Sequence, residues 1–126
     1  MNDLEILDSG KVISRIVTGD LISDILPQLK SYRKIFIIYD RNVSSLGESL
    51  SEMIEDKYPS VLGGVMGINA SEQTKNMDTV LSICSFLLEN NADRYSLVLG
   101  IGGGITTDMT GFAASIYKRG VKFAFV

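Results

Sequence analysis

The 126 residues predict an α/β fold, with a mostly parallel sheet carrying helices on both faces and a short β-hairpin at the N-terminus. Three observations lead there. Runs such as IFIIY (35–39) and LVL (97–99) are apolar throughout, as strands covered on both sides are. Between such runs lie stretches of helical length with apolar residues on one face. The two patterns alternate along the chain, and that alternation gives parallel strands joined by right-handed crossovers.

Residues 4–7 and 12–17 read as two short strands around a turn at Asp8, Ser9 and Gly10. Residues 21–29 read as a helix opened by Thr18, Gly19 and Asp20. After the strand at 35–39, residues 42 to about 57 form a helix with Val43, Leu46, Leu50 and Ile54 on one face. Residues 61–68 are strand-like despite their glycines, and residues 73 to about 90 form a long helix with apolar Met77, Val80, Leu81, Cys84, Leu87 and Leu88. Leu97, Val98 and Leu99 then enter a turn rich in glycine, at Gly100, Gly102, Gly103 and Gly104. Thr106 or Thr107 can cap the next helix, which runs to about Arg119, and Gly120 stands where a left-handed residue would end it. The chain has no internal repeat, low-complexity segment or linker, so it reads as one domain.

Composition narrows the function classes. A net charge of −3 with scattered lysine and arginine excludes nucleic acid as the main partner. No charged leader precedes an apolar stretch, and no uncharged run reaches the roughly 20 residues of a membrane span, so a cytoplasmic protein without membrane contact is expected. The single cysteine, Cys84, has no internal partner and sits in an apolar stretch, as a core residue would. There is no histidine, which removes the usual general base and the commonest metal ligand. The last residues, Phe123, Ala124, Phe125 and Val126, stand in mid-strand pattern and predict a longer protein of which this is the first part.

In parallel sheets, ligands bind beyond the carboxyl ends of the strands, so the residues just after each strand are the candidates. The glycine cluster before a helix start suits phosphate, because unpaired N–H groups and the helix dipole favour an anion; tight packing is the other reading. Asp108, inside that helix, would repel phosphate and suits a hydroxyl or backbone N–H groups instead. Asp40 ends a strand where a carboxylate can accept from a ribose, or it caps the next helix, and both roles need the same oxygens. Glu72 and Lys75 can pair with each other at a helix start capped by Ser71, or face a ligand. Arg119 either complements a helix C-terminus or offers its planar fork to phosphate, and Lys118 is a solvated neighbour.

The segment GGGITTDMTGFAASIYKRG, residues 102–120, resembles the GGG-x-x-x-D-x-x-GF-x-A-x-x-x-x-RG signature of 3-dehydroquinate synthases, sugar-phosphate cyclases of the shikimate pathway. Gly111, Phe112, Ala114, Arg119 and Gly120 all take part in the match. The resemblance implies a Rossmann-like domain that binds NAD. Asp40, Arg41 and Asn42 match the family's D-x-N element for the adenosine portion, with Asp40 on a free 2′-hydroxyl, which favours NAD over NADP. Glu72 and Lys75 match a GE-x-x-K element, with Ser71 in place of the frequent glycine. Gly103, Gly104, Ile105 and Asp108 would seat the pyrophosphate and a ribose. Arg119 matches a substrate-site arginine at a dimer interface, so the full-length enzyme is expected to be a homodimer.

The reaction implied is conversion of 3-deoxy-arabino-heptulosonate 7-phosphate to 3-dehydroquinate with loss of phosphate. Its divalent zinc or cobalt would be held by one glutamate and two histidines of a C-terminal helical domain, none of them in this chain. Residues 1–126 would then be an N-terminal NAD-binding domain, inactive alone. Two other readings stand beside it. A metal-dependent dehydrogenase of the glycerol dehydrogenase type shares the two-domain plan and GGG-x-x-x-D, but not the continuation through Phe112 and Arg119. The other is a non-enzymatic nucleotide-binding module.

Overall fold

The computed structural model describes residues 2–126, which form two compact units divided between Ser31 and Tyr32. In the first unit, β1 (Asn2–Asp8) and β2 (Lys11–Thr18) pair antiparallel, with a register shift between Ile6 and Leu7. Ser9 and Gly10 both have positive φ, as the tight turns that suit twisted hairpins require. Arg15 ties the strands together by gripping the carboxylate of Asp3, and its Nη1 donates to Gln28 Oε1 at 2.8 Å. The Arg15 hydrogen bond holds the Asp3 carboxyl below the usual carboxylate range. Leu4, Ile6 and Ile16 are all exposed within this two-stranded sheet.

The helix expected over 21–29 is instead a π-helical turn, Leu21–Ile25, followed by a 3-10 turn, Leu26–Leu29. Pro27 explains the break, since it has no N–H to donate and its ring blocks a continuous α-helix. Asp20 opens the segment as expected. Its Oδ1 accepts from Ile22 N and Ser23 N at 2.9 Å each, and the bond from Ser23, then that from Ile22, lowers its pKa.

The second unit is a βα repeat around one parallel sheet. It runs β3 (Ile35–Asp40), α1 (Ser44–Lys57), β4 (Leu62–Ile68), α2 (Met77–Glu89), β5 (Leu97–Ile101), α3 (Gly104–Ile116) and β6 (Lys122–Phe125), with strand order β4-β3-β5-β6. All three pairings are parallel, so the one antiparallel pair among the described residues is the hairpin. The apolar run of β3 splits between the two faces, because alternate side chains of a strand point to opposite sides. Phe36 and Ile38 join one core with Val80, Ile83 and Leu87 of α2 and Met109, Ala113 and Ala114 of α3. Ile35 and Ile37 turn to the other face, where α1 buries Leu50 and Ile54.

Three helix starts differ from expectation, the first being α1, which begins at Ser44 rather than 42, after a 3-10 turn at Arg41–Val43. Helix α2 begins at Met77 rather than 73, because Asn76 caps it by accepting from Thr79 N at 3.0 Å, while 72–74 form a separate 3-10 turn. Its buried residues are Val80, Ile83 and Leu87, whereas Met77, Leu81 and Leu88 are exposed. Helix α3 begins at Gly104 with Gly103 as its N-cap, so neither Thr106 nor Thr107 caps it. It also ends early, at Ile116, in a 3-10 turn (Tyr117–Arg119) where Lys118, Arg119 and Gly120 all have positive φ.

Candidate nucleotide site

The chain moves from β3 out to β4 and then returns to β5 on the other side of β3. Between β3 and β5 the winding therefore reverses, and such a reversal opens a crevice beyond the carboxyl ends of the two strands. Asp40 stands at the end of β3, and Gly102 follows β5. They meet there. A Cβ placed on Gly102 would lie 2.9 Å from Asp40 Cβ, and Gly102 has φ of +148°, a conformation that L side chains rarely adopt.

The glycines after Gly102 are of a different kind. Added side chains at Gly103 and Gly104 would meet nothing within 4 Å, so the backbone there is open to approach. The first intrahelical bond of α3 runs from Thr107 N to Gly103 O at 3.0 Å, and no side chain caps the helix. The N–H groups of Gly104, Ile105 and Thr106 precede that bond and have no intrahelical partner. They form a positive, uncovered end suited to an anion. Gly102 N, in contrast, donates to Val126 O at 3.1 Å and holds the turn to the end of β6.

Asp40 does cap a turn, the 3-10 segment Arg41–Val43, through an Asn42 N to Oδ1 bond of 2.9 Å. One carboxylate oxygen suffices for this, so capping leaves Oδ2 available to a ligand. Arg41 and Asn42 are exposed beside it. Arg41 folds back toward β4: a Cβ on Gly67 would lie 3.0 Å from Arg41 Nε and 2.8 Å from the Tyr39 hydroxyl. Another at Gly47 of α1 would lie 2.8 Å from the Tyr39 ring, so Tyr39 sits in a slot between two glycines.

The turn after β4 holds the third group. Ser71 caps the 3-10 segment Glu72–Thr74 in a reciprocal box, with Thr74 Oγ1 accepting from Ser71 N at 2.9 Å and donating to Asn69 O at 2.6 Å. Lys75 does not pair with Glu72. Its Nζ instead donates to Asp108 Oδ2 at 3.0 Å, bridging this turn to the second turn of α3. Glu72 is exposed and makes no ion pair among the described residues. Beside the bridge lies a groove of about 280 Å³, lined by Met77, Val80, Met109 and Phe112 along with Lys75, Asn76 and Asp108.

Asp40 at the end of β3, and Arg41, Asn42, Glu72, Lys75, Gly103, Gly104, Ile105 and Asp108 in the loops and helix turns that follow the strands, thus all lie at one edge of the sheet. Arg119 does not. It lies at the opposite end of α3, a helix of 13 residues and therefore about 20 Å long, exposed and in a left-handed conformation. Two buried residues of α3 carry a feature that the sequence reading did not anticipate. The hydroxyls of Thr106 and Thr110 are fully buried without hydrogen-bond partners. The available signal was their spacing of four, in phase with the buried Met109 and Ala113 face of α3.

Cys84 is half-buried, with Sγ 3.9 Å from Ala113 O, and burial raises the pKa of its thiol, as befits an inert core residue. No helix among the described residues is long and apolar enough to cross a membrane.

Comparison with known proteins agrees with this architecture. Residues 65–126 match the family model described as 3-dehydroquinate synthase N-terminal. A 3-dehydroquinate synthase of Clostridium tetani is 36% identical over 96 residues, covering 76% of this chain and 25% of that protein. The crystal structure of a 2-deoxy-scyllo-inosose synthase, complexed with carbaglucose-6-phosphate, NAD+ and Co2+, superposes with TM-score 0.78 at 19% identity, over 99% of this chain and 35% of the other. That of a 2-epi-5-epi-valiolone synthase from Streptomyces hygroscopicus, with NAD+ and Zn2+ bound, gives TM-score 0.66 at 28% identity, over 78% of this chain and 28% of the other. The chain spans a quarter to a third of the length of the first two curated relatives it matches.

Proposed function

We propose that this chain, whose residues 65–126 match the 3-dehydroquinate synthase N-terminal family, is the NAD-binding part of a sugar-phosphate cyclase. The observation that carries the proposal is the meeting of Asp40 and the glycine turn at the switch point of the sheet. The residues fit a dinucleotide. Open backbone at Gly103 and Gly104 and the uncapped N–H groups through Ile105 and Thr106 can take the pyrophosphate. Asp40, with Arg41 and Asn42 beside it, can accept from the adenosine ribose. Lys75 and Asp108, already paired, and Glu72 of the same 72–75 turn are the groups left to contact the second ribose.

When bound, NAD supplies a hydride acceptor that takes hydride from a substrate alcohol and later returns it. This chain's residues bind and orient the cofactor. Met77, Val80, Met109 and Phe112 offer an apolar surface for the cofactor to pack on, and the Lys75 to Asp108 bridge joins two cofactor-facing turns. The finer reading is the reaction that converts 3-deoxy-arabino-heptulosonate 7-phosphate to 3-dehydroquinate and phosphate. It assigns Arg119 to the substrate site of a partner subunit in a homodimer, and the zinc or cobalt to a helical domain in the remainder of a longer protein. Among the described residues no three carboxylate, thiol or imidazole groups converge to hold a metal, so no step is derived through one.

Calorimetric titration tests the cofactor. The chain is expected to bind NAD and to bind NADP at least about tenfold more weakly, because a 2′-phosphate would face the Asp40 carboxylate. Tighter NADP binding, or none of NAD, would contradict the reading. For the reaction, phosphate release from the heptulosonate phosphate is expected of the full-length protein and not of residues 1–126.

A further inference from the structure

Thr106 lies on the face of α3 turned toward the sheet and is fully buried, yet its hydroxyl has no hydrogen-bond partner. A threonine in a helix ordinarily returns its hydroxyl to a carbonyl of the preceding turn, as Thr107 does to Gly104 O at 3.2 Å. Thr106 Oγ1 points elsewhere. It lies 3.0 Å from the place a Cβ on Gly102 would occupy, and Asp40 Cβ lies 2.9 Å from that same place. The gap left by Gly102 therefore lies between an unused buried hydroxyl and the Cβ of Asp40, an acid whose Oδ1 accepts from Asn42 N and whose Oδ2 is unengaged.

We propose that Thr106 is a positioning residue, whose hydroxyl donates to the second oxygen of Asp40 and sets that carboxylate to accept from a ribose hydroxyl of a bound nucleotide. The inference rests on the reading of this crevice as a nucleotide site. A buried hydroxyl without a partner destabilises a folded chain, and such local costs collect at functional positions, where a bound state uses them. Thr110 supplies the contrast. Its hydroxyl is also buried and unpartnered, but its Cγ2 packs against Gly100 and its neighbourhood includes Phe125, away from the loops.

The test compares the unaltered chain with Thr106→Val, Thr106→Ser and Thr110→Val, titrating each with NAD and with the analogue whose adenosine ribose lacks the 2′-hydroxyl. Thr106→Val should weaken NAD binding about tenfold, yet leave affinity for the deoxy analogue within about twofold, because the lost bond acts only through the missing hydroxyl. Thr106→Ser should retain NAD affinity, and Thr110→Val should change neither. In thermal melts both valine variants should be at least as stable as the unaltered chain, so that lost binding is not lost folding. Equal weakening toward both ligands would show a merely structural role and overturn the proposal, as would unchanged NAD affinity in Thr106→Val. An unaltered chain that binds neither ligand would remove the nucleotide reading itself, and this inference with it. Should Thr106→Val fail to fold, loss of NAD affinity in well-folded Thr106→Ser would likewise refute the proposal.

Discussion

Single glycines of the turn after β5 do separate jobs, and substitution should tell them apart. Gly102 holds φ of +148° with Asp40 and Thr106 packed against it, so Gly102→Ala combines backbone strain with a clash. A loss of about 2 kcal/mol in urea-unfolding free energy is expected. Gly103 has φ of −83° and open space around it, so Gly103→Ala should leave that free energy within about 0.5 kcal/mol while weakening nucleotide binding. Equal destabilisation by the two would mean that the turn is packed uniformly rather than divided between a fold-holding residue and a ligand-facing one. The bridge between Lys75 and Asp108 belongs with the second kind. Both side chains are well exposed, at 43% and 63%, so its direct contribution to stability is small, and in the proposed site it would orient the two turns.

At the scale of elements, capping decided where the segments begin. The apolar pattern of residues 73–90 is continuous in sequence, but Asn76 is a stronger helix opener than anything at 73, and Ser71 with Thr74 closes a turn of its own first. Periodicity alone cannot see that competition. The start of α3 was misplaced for the opposite reason, since a bare Gly103 opens it and Thr106 turns inward. Residues 21–29 carry helical periodicity, which Pro27 divides. Their opening by Asp20 was legible, and it has a pH dependence. Because hydrogen bonds from Ser23 and Ile22 lower the folded pKa beneath the ordinary 3.8, the cap contributes fully above that value and is lost as pH falls through the folded pKa. Amide exchange at Ile22 and Ser23, corrected for intrinsic rates, should accelerate on acidification through that window in the unaltered chain, and should be fast and indifferent to pH in Asp20→Ala. Protection that persists unchanged to the lowest pH would exclude the carboxylate as the cap.

For the whole molecule, the alternation of apolar strands and one-faced helices was enough to give the parallel sheet, and the residues after each strand were enough to name the loops that open at its edge. The pairing of Lys75 with Asp108 rather than Glu72 was not legible, because it joins residues 33 positions apart and depends on strand order. Arg119 was legible as a residue type but not as a location, since a helix length separates it from the crevice. Burial also divides the chain. The strands of the hairpin are exposed along almost their whole length, whereas the central strands β3 and β5 are buried. Amides of β1 and β2 should therefore exchange through openings of lower free energy than those of Phe36 or Leu99, which should report global unfolding; equal protection of the two groups would show that the units unfold as one. The slot that holds Tyr39 between Gly47 and Gly67 has an optical consequence. With no tryptophan in the chain to dominate emission, tyrosine fluorescence stands uncovered, and one of its five sources is wedged a single residue from Asp40, a built-in lamp at the mouth of the crevice.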